Sequence, residues 1–364
     1  MARELDEDDV RTRPGRGSRP RTRIRPEHAD ATRAVVVAVD RGRYTCRPGG
    51  TGASGASGAS GASGASGASR GKAGRAGGRA GAGEADGAGA ELVAAVRGGS
   101  MRRTSVVVGD QVELVGDLSG RPGSLARIVR REERSSLLRR TADDADPVER
   151  PIVANADLLV IVCALTDPPP RTGLIDRCLV AAYDGGLTPV LCLTKTDLAD
   201  PGPVRESYEP LGLPVVTTRP GGDLDPLLAL LHEATSVFFG HSGVGKSTLV
   251  NRLVPNADRA IGVVNAVTGR GRHTSSAAVA LALPAGGTVV DTPGIRSFGL
   301  GAVKPERVLL AFDDLAAATV DCEPGCDHLT APDCGLDAAV QAGRVDPVRV
   351  TSLRRLLATR VTPG

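Results

Sequence analysis

The chain has 364 residues, a length that allows two or three domains, and its net charge of +3 is close to neutral. No apolar run approaches the ~20 residues of a membrane span, and the N-terminus lacks the apolar stretch of a secretory signal. Trp is absent and aromatic residues make up 2%, which disfavours a single-strand nucleic-acid binder that works by base stacking. We therefore expect a cytoplasmic protein without membrane contact, whose seven cysteines stay reduced.

Residues 1–33 are polar and lack periodicity, and positions 11–25 carry seven arginines with no acidic residue among them. This composition predicts a disordered Arg-rich arm. Such an arm either contacts nucleic acid or is a solvated tail without a partner, and the sequence leaves both open.

Residues 34–148 are predicted to form a small β-barrel, because short apolar stretches alternate with Gly and Asp turns. The predicted strands are 34–39, 43–46, 91–96, 104–108, 111–115 and 125–129. A low-complexity Gly/Ala/Ser insertion at about 50–89 interrupts the barrel. Its three-residue repeat contains no proline, which favours a flexible loop over a collagen-like helix.

Residues 149–302 alternate apolar strands with helical stretches, which predicts a βαβ series with a parallel sheet. The main predicted strands are 158–165, 190–193, 215–216, 237–239 and 289–290, with a helix at 174–183. Residues 303–364 are predicted to be helical, with a Cys/His-rich knot.

The strongest motif is Gly240-His-Ser-Gly-Val-Gly-Lys-Ser247, which follows an apolar strand and opens a helical stretch, as a phosphate-binding P-loop requires. Its glycines let backbone N–H groups curl around phosphate oxygens, and the helix N-terminus favours the anion. Lys246 is expected to reach the β- and γ-phosphates, and Ser247 to bind Mg²⁺.

Asp291-Thr-Pro-Gly294 directly follows the predicted strand at 289–290. By itself this tetrapeptide is merely a turn. After a P-loop it indicates a second phosphate-sensing segment, in which Asp291 holds the magnesium shell and the Gly294 N–H contacts the γ-phosphate.

Thr194-Lys-Thr-Asp197 ends the predicted strand at 190–193. The Asp197 carboxylate can accept hydrogen bonds from guanine N1–H and the 2-amino group, a donor pair that adenine lacks. Only four of the 45 basic residues are lysines, and two of them, Lys195 and Lys246, lie in these motifs. Guanine-binding motifs usually have Asn where this chain has Thr194, which puts one loop-bracing hydrogen bond in question.

The order of these motifs is unusual, because ordinary GTPases begin with the P-loop and end with the guanine-binding motif. Here residues 194–197 precede 240–247, which precede 291–294. This order predicts a circular permutation. Thr217-Thr218 is a weak but compatible match to the Ser-Ala loop that also contacts guanine.

The C-terminal knot contains three cysteines and a histidine within thirteen residues, a donor set typical of tetrahedral zinc. The predicted ligands are Cys322, Cys326, His328 and Cys334. The site has no open position, so we expect structural zinc. Cys46, Cys163, Cys178 and Cys192 occur singly in apolar segments and are predicted to be core residues.

Together these residues resemble the RsgA family, the circularly permuted GTPases that depend on the small ribosomal subunit. The resemblance extends from about Ala34 to the C-terminus and includes further motifs: Val108-Gly-Asp-Gln-Val112, Ile152-Val-Ala-Asn-Ala-Asp157, Leu174-Ile-Asp-Arg177, Gly269-Arg-Gly-Arg-His-Thr274 and Asp291-Thr-Pro-Gly-Ile-Arg-Ser-Phe298. The first two cysteines of the knot are separated by three residues, where the family usually has four.

The resemblance implies three domains: an N-terminal OB-fold barrel (34–148), a central α/β circularly permuted P-loop GTPase domain (149–302) and a C-terminal helical zinc-binding domain (303–364). It implies a monomer that binds the 30S ribosomal subunit and 16S rRNA late in maturation and hydrolyses GTP, with hydrolysis promoting release. The implied cofactors are one structural zinc ion and Mg²⁺ with GTP or GDP.

By the same resemblance, residues 269–276 correspond to the first switch segment, where Thr274 is expected to bind Mg²⁺ and the γ-phosphate. Ile295 stands where Ras-like proteins have a water-orienting Gln, so another group must position the water. His273 is our hypothesis for that role; alternatively it orients the switch or contacts RNA. The expected catalytic residues are Lys246, His273 and Thr274. The expected nucleotide-binding residues are Thr194, Lys195, Asp197, Gly240, Ser242, Gly243, Val244, Gly245, Lys246, Ser247, Thr248, Asp291 and Gly294.

Two other functions stay open from the residues alone. An ATP-using P-loop enzyme with an RNA-binding appendage would have no use for Asp197. The other function is a non-enzymatic scaffold that binds nucleotide and rRNA. The intact Lys246, Ser247, Thr274 and Asp291 argue against a decayed site, although they indicate nucleotide binding more directly than turnover. Arginines near the barrel's exit are candidates for contact with rRNA phosphates, or else they form a solvated basic face: Arg127, Arg130, Arg131, Arg134, Arg139 and Arg140.

Overall fold

The structure is a computed structural model that describes residues 28, 30–49, 92–141, 149–255, 257, 261, 278–292, 303, 305–320 and 322–359. The predicted Arg-rich arm lies almost wholly outside the described residues, as do the Gly/Ala/Ser insertion and the segment 269–276. Ala31–Gly364 belong to one compact unit.

The first five strands form a closed barrel. They are β1 (Thr32–Asp40), β2 (Arg43–Pro48), β3 (Val93–Arg97), β4 (Gln111–Gly116) and β5 (Ala126–Arg131). The strand order is β1-β2-β3-β5-β4, and β4 pairs back onto β1; only β3 and β5 run parallel. Alternate residues face the interior, where Val36, Leu114 and Ile128 are fully buried, so the period-two pattern of the sequence is the reason for closure.

The strand predicted at 104–108 is wrong. This segment makes only an isolated bridge between Val108 and Val153, because side chains occupy its backbone groups. The Val107 N–H donates to the Asp110 carboxylate (2.7 Å), and Arg134 donates to the Ser105 carbonyl (3.0 Å). The sequence also gave no sign of the hairpin formed by β6 (Leu137–Thr141) and β7 (Glu149–Ala154).

A second set of strands extends the sheet in the order β10-β9-β8-β11-β13-β12. These are β8 (Leu158–Ala164), β9 (Thr188–Thr194), β10 (Val215–Thr217), β11 (Thr235–Phe239), β12 (Val279–Ala282) and β13 (Thr288–Asp291). All are mutually parallel except β12, which runs antiparallel to β13. Successive residues of β8 face two separate cores, Leu159 one and Val160 the other, so both faces of the sheet are covered.

Eight helices are described. They are α1 (Thr172–Gly185), α2 (Gly202–Tyr208), α3 (Asp225–Leu231), α4 (Lys246–Leu253), α5 (Pro305–Leu309), α6 (Asp313–Ala317), α7 (Gly335–Gln341) and α8 (Pro347–Thr359). The last helix, α8, shares a core with α1, to which Leu353 and Leu179 contribute fully buried side chains. Within the described ranges, no helix has the length and hydropathy needed to cross a bilayer.

The barrel meets the parallel sheet at Gly109 and Asn155. The Gly109 N–H donates to Val36 in β1 (2.8 Å), and its carbonyl accepts from the Asn155 side chain (2.9 Å). Gly109 has a φ of +87°, and a Cβ added there would lie 1.9 Å from the Ala154 carbonyl oxygen. The junction therefore requires glycine for both conformation and space.

We expect Gly109→Ala to lower the free energy of unfolding by more than about 3 kcal/mol, because left-handed strain adds to a backbone clash. Gly42 is the matched control: its φ is +86°, but a Cβ there meets no atom within 4 Å. Gly42→Ala should cost only about 1–2 kcal/mol. Equal losses in chemical denaturation would contradict the tight approach at Gly109.

Candidate functional site

The P-loop connects the end of β11 to the start of α4. Gly243 and Gly245 adopt φ values of +84° and +88°, which residues that have a Cβ rarely adopt. A Cβ on Gly240 would lie 2.7 Å from the Val162 carbonyl oxygen of β8. The loop is thus shaped by its glycines into a cradle at the helix N-terminus, where backbone N–H groups can meet phosphate oxygens.

Lys246 and Asp291 form an ion pair at the open end of this cradle. They meet because β11 and β13 are parallel neighbours, with Phe238 paired to Asp291. Their side chains are 12% and 19% exposed. The Lys246 ammonium, which is expected to bind phosphate, and the Asp291 carboxylate, which is expected to bind the magnesium shell, therefore neutralise each other in this structure.

Thr194, at the end of β9, touches the P-loop directly. Its hydroxyl donates to the Val244 carbonyl at 2.6 Å, and the residue is only 6% exposed. Thr194, which stands where guanine-binding motifs usually have Asn, therefore still makes a side-chain hydrogen bond that braces the phosphate-binding loop. The turn predicted to bind guanine and the P-loop form one hydrogen-bonded unit.

The next residue, Lys195, reaches the loop between β8 and α1. Its ammonium donates to the Asp167 carbonyl, and this loop lies against Gly243, whose added Cβ would be 3.5 Å from Pro168 Cδ. Sequence reasoning missed the 166–171 loop. The available signal was its position at the carboxyl end of a parallel strand, where ligands of such sheets bind.

Asp197 is exposed in the turn that follows Lys195. This turn is fastened to the segment after β10: the Thr196 hydroxyl donates to the Thr218 carbonyl (3.2 Å), and the Thr218 N–H donates to Leu193 (2.7 Å). The weak Ser-Ala-like match at Thr217-Thr218 therefore lies beside the guanine-type turn.

The remaining predicted nucleotide residues fall into two groups. Ser242, Gly243, Ser247 and Thr248 lie in the P-loop and the first turn of α4, and Ser247 is exposed there. His273, Thr274 and Gly294 lie outside the described residues.

A cavity of about 90 Å³ lies behind the P-loop. Its lining includes His241 and Ser242 of the loop, and Arg171, Leu174 and Ile175 at the start of α1. Burial, with a contribution from Arg171, lowers the pKa of His241, so the imidazole is neutral at pH 7. The cavity places the start of α1 near the phosphate loop, a proximity that sequence spacing did not reveal.

The four predicted metal ligands lie together, with their donor atoms all within 4.8 Å of one another. His328 Nδ1 lies 3.7 Å from the sulfurs of Cys322 and Cys334. A tetrahedral zinc ion with ordinary bond lengths places such N and S ligands about 3.6 Å apart. Burial lowers the pKa of His328, which keeps its imidazole neutral, as a ligand must be. The donor set and spacing fit a tetrahedral metal ion.

Comparison with known proteins identifies what this arrangement is similar to. Residues 131–301 match the RsgA GTPase family model. The Small ribosomal subunit biogenesis GTPase RsgA of Chromohalobacter salexigens is 40% identical over 238 residues, which cover 63% of this chain and 69% of that protein. The protein of the same name from Pseudomonas aeruginosa PAO1 is 38% identical over 264 residues, covering 70% and 76%.

Two solved structures share the fold. YjeQ from Thermotoga maritima superimposes with a TM-score of 0.59 at 24% identity, covering 91% of this chain and 99% of that one. YloQ, described as a circularly permuted GTPase, gives a TM-score of 0.57 at 22% identity, covering 92% and 96%. At this level of identity the likeness concerns the fold, and it confirms the predicted circular permutation.

We expect Thr194→Val to weaken GDP binding about tenfold, because the buried Val244 carbonyl would lose its hydrogen bond at a cost of about 1–2 kcal/mol. Thr194→Ser keeps the hydroxyl and should bind like the wild type. Titration with a fluorescent guanine nucleotide measures both. Wild-type affinity in Thr194→Val would show that the contact does not support the phosphate loop.

Proposed function

Because this chain belongs to the RsgA family of GTPases, we propose that it hydrolyses GTP on the 30S ribosomal subunit, late in subunit maturation, and that hydrolysis promotes its release. Its activity as a GTPase of small-subunit biogenesis follows from that membership, and a non-enzymatic scaffold is disfavoured. The observation that carries the nucleotide part of the proposal is the Thr194–Val244 hydrogen bond, since it joins a guanine-type turn to a phosphate loop in one site; the small-subunit part rests on the family membership.

The phosphate end of the site is proposed to work by charge exchange. When GTP binds, Lys246 leaves Asp291 for the β- and γ-phosphates, and Asp291 becomes available to the magnesium shell. Ser247 and Thr274 are the proposed magnesium ligands, and the Gly294 N–H is proposed to contact the γ-phosphate. Bound Mg²⁺ would neutralise charge that develops on the β- and γ-oxygens.

The base end of the site is proposed to select guanine through Asp197. Its carboxylate would accept both guanine donors, while Lys195, anchored on the Asp167 carbonyl, would cover the base and ribose. An adenine nucleotide would leave the carboxylate without its two donors, so ATP is not the proposed substrate.

The barrel is proposed to contact 16S rRNA through arginines that reach solvent. Arg127 and Arg140 are exposed, so their guanidinium groups can meet backbone phosphates. Arg130 is also exposed, but its guanidinium is paired with Glu113 and would have to exchange this carboxylate for a phosphate. Arg134 drops out of the set, because it is paired with the fully buried Asp110 (2.7 Å) and its side chain is only 10% exposed. We further propose that the protein acts as a monomer in the cytoplasm, where subunits mature.

The proposed layout is an OB-type barrel at 34–148, the GTPase domain at 149–302 and a helical zinc domain at 303–364. The closed order β1-β2-β3-β5-β4 with a parallel β3–β5 pair supports the OB assignment. Zinc is the proposed metal, because three thiolates and an imidazole suit it and leave no open position for catalysis.

Asp197→Asn is expected to weaken GDP binding by at least about 100-fold, because an amide N–H₂ would face guanine's donors. The same amide can donate to the 2-oxygen of xanthine, so xanthosine diphosphate should bind the variant better than GDP does. Competition binding with GDP, XDP and ADP measures this. Unchanged GDP affinity would overturn the assignment of Asp197.

His273→Ala is expected to abolish subunit-stimulated turnover and to leave GTP affinity within about twofold, since we propose that this side chain positions the attacking water. Turnover with purified 30S subunits and equilibrium GTP binding are the two readouts. Unchanged stimulated turnover would exclude a catalytic role for His273.

Elemental analysis of the purified protein is expected to give about one zinc ion per chain. Cys334→Ser should lose it, because one of four ligands is replaced. Cys46→Ala, which alters a buried cysteine of the barrel core, should retain it. Equal zinc content in the two variants would contradict the proposed site.

A further inference from the structure

Two adjacent arginines of α8 extend to different parts of the molecule. Arg354 Nε donates to the His328 carbonyl (3.0 Å), and its two terminal nitrogens donate to the Asp337 carboxylate at 2.9 and 2.7 Å. A bidentate pair of this kind fixes the direction of both partners. Arg354 therefore holds the loop of metal ligands, here called the metal cluster (residues 322–334), against α8.

Arg355 holds α1. Its Nε lies 3.1 Å from Asp176 Oδ2, its terminal nitrogen donates to the Ser207 carbonyl (3.3 Å), and its guanidinium stacks 5.0 Å from the centre of the Tyr208 ring. The Asp176 side chain is only 5% exposed, and Tyr208 is fully buried. Beside their shared apolar core, α8 and α1 are thus joined by an ion pair whose carboxylate is largely removed from water.

The Asp176–Arg355 pair is a poor device for stability alone. Asp176 Oδ1 and Arg355 Nε are both buried atoms without a hydrogen-bond partner among the described residues, and the desolvation cost of such an imperfectly bonded ion pair can exceed its Coulombic gain. An unsatisfied buried group of this kind calls for a further role. An ion pair between two helices whose hydrogen bonds are incomplete suits an element that has two arrangements.

Asp176 directly follows residues that line the cavity behind the phosphate loop. Leu174 and Ile175 line the cavity shared with His241 and Ser242, and α1 is a continuous helix through these positions. A shift of the P-loop on nucleotide binding would therefore displace the turn of α1 that Arg355 contacts through Asp176. The adjacent Arg354 would pass that movement to the metal cluster.

We infer that Asp176 and Arg355 are a positioning pair that couples the nucleotide state of the P-loop to the metal cluster. The coupling is reciprocal, so a partner that binds the metal cluster can act on the GTP site through the same pair. The inference rests on the proposed function only because it takes the P-loop as a GTP site. Asp176 and Arg355 themselves do not touch the nucleotide, and their proposed role is regulatory.

Amide hydrogen exchange tests this without a ribosome. In the wild type, saturation with a non-hydrolysable GTP analogue and Mg²⁺ should change exchange in residues 322–334 at least about fivefold. In Arg355→Gln this response should disappear at saturating nucleotide, with GTP affinity within about twofold of the wild type. Arg355→Lys, which keeps the charge, should restore part of the response.

The matched control is Asp314→Asn. It breaks the Arg349–Asp314 ion pair of 2.7 Å, which lies between α6 and α8 and does not involve α1. This variant should respond like the wild type. The nearly isosteric Asp176→Asn gives a second route to the same disruption if Arg355→Gln does not fold.

No nucleotide response of residues 322–334 in the wild type would overturn the inference, as would an undiminished response in Arg355→Gln or Asp176→Asn. Turnover assays keep the proposed function separate. If purified 30S subunits fail to stimulate the wild type, the proposed function fails, while the exchange comparison still decides the coupling. If they do stimulate it, Arg355→Gln should lose most of the stimulation and keep basal turnover.

Discussion

Parallel strands that end at one edge of a sheet are the constraint on which the nucleotide site depends. β9, β11 and β13 carry, at their carboxyl ends, the guanine-type turn, the P-loop and Asp291. Because the neighbours are fixed by strand pairing, Lys246 meets Asp291 and Thr194 meets Val244. Chain order does not enter these contacts, so circular permutation moves the termini and leaves the site intact.

Permutation does change what is attached to the site. The barrel connects through residues 155–157, and Asp157 exchanges two hydrogen bonds of 2.8 Å with Thr235 at the start of β11, the strand that leads into the P-loop. The C-terminal helices pack instead on α1, through a shared apolar core and the Asp176–Arg355 pair. The barrel therefore contacts β11, which ends at the phosphate loop, and the C-terminal helices contact α1, which lines the cavity behind that loop.

Much of this arrangement was predictable from local sequence. The barrel strands have period-two patterns, the parallel strands are continuous apolar runs, and the glycines of residues 240–247 fix the loop conformation. Clustering also identified the four metal ligands, because their spacing in the chain is short.

The misses have physical causes. β12 (Val279–Ala282) has the sequence Val-Ala-Leu-Ala, and since alanine is depleted in strands, these four residues carry little strand signal. The 104–108 segment has the composition of a strand, but Asp110 and Arg134 occupy its backbone groups. Arg134 itself is indistinguishable in sequence from its exposed neighbours, since its partner Asp110 is remote in the chain. Pairs such as Asp176–Arg355 leave no local pattern at all.

The most direct test of the account is nucleotide hydrolysis by the purified protein, with and without purified small ribosomal subunits, using ATP as the control. The account predicts slow basal GTP turnover that subunits accelerate by at least about tenfold, with ATP inert. Turnover of ATP at a rate similar to that of GTP would contradict guanine selection, and the absence of acceleration would contradict a subunit-dependent GTPase.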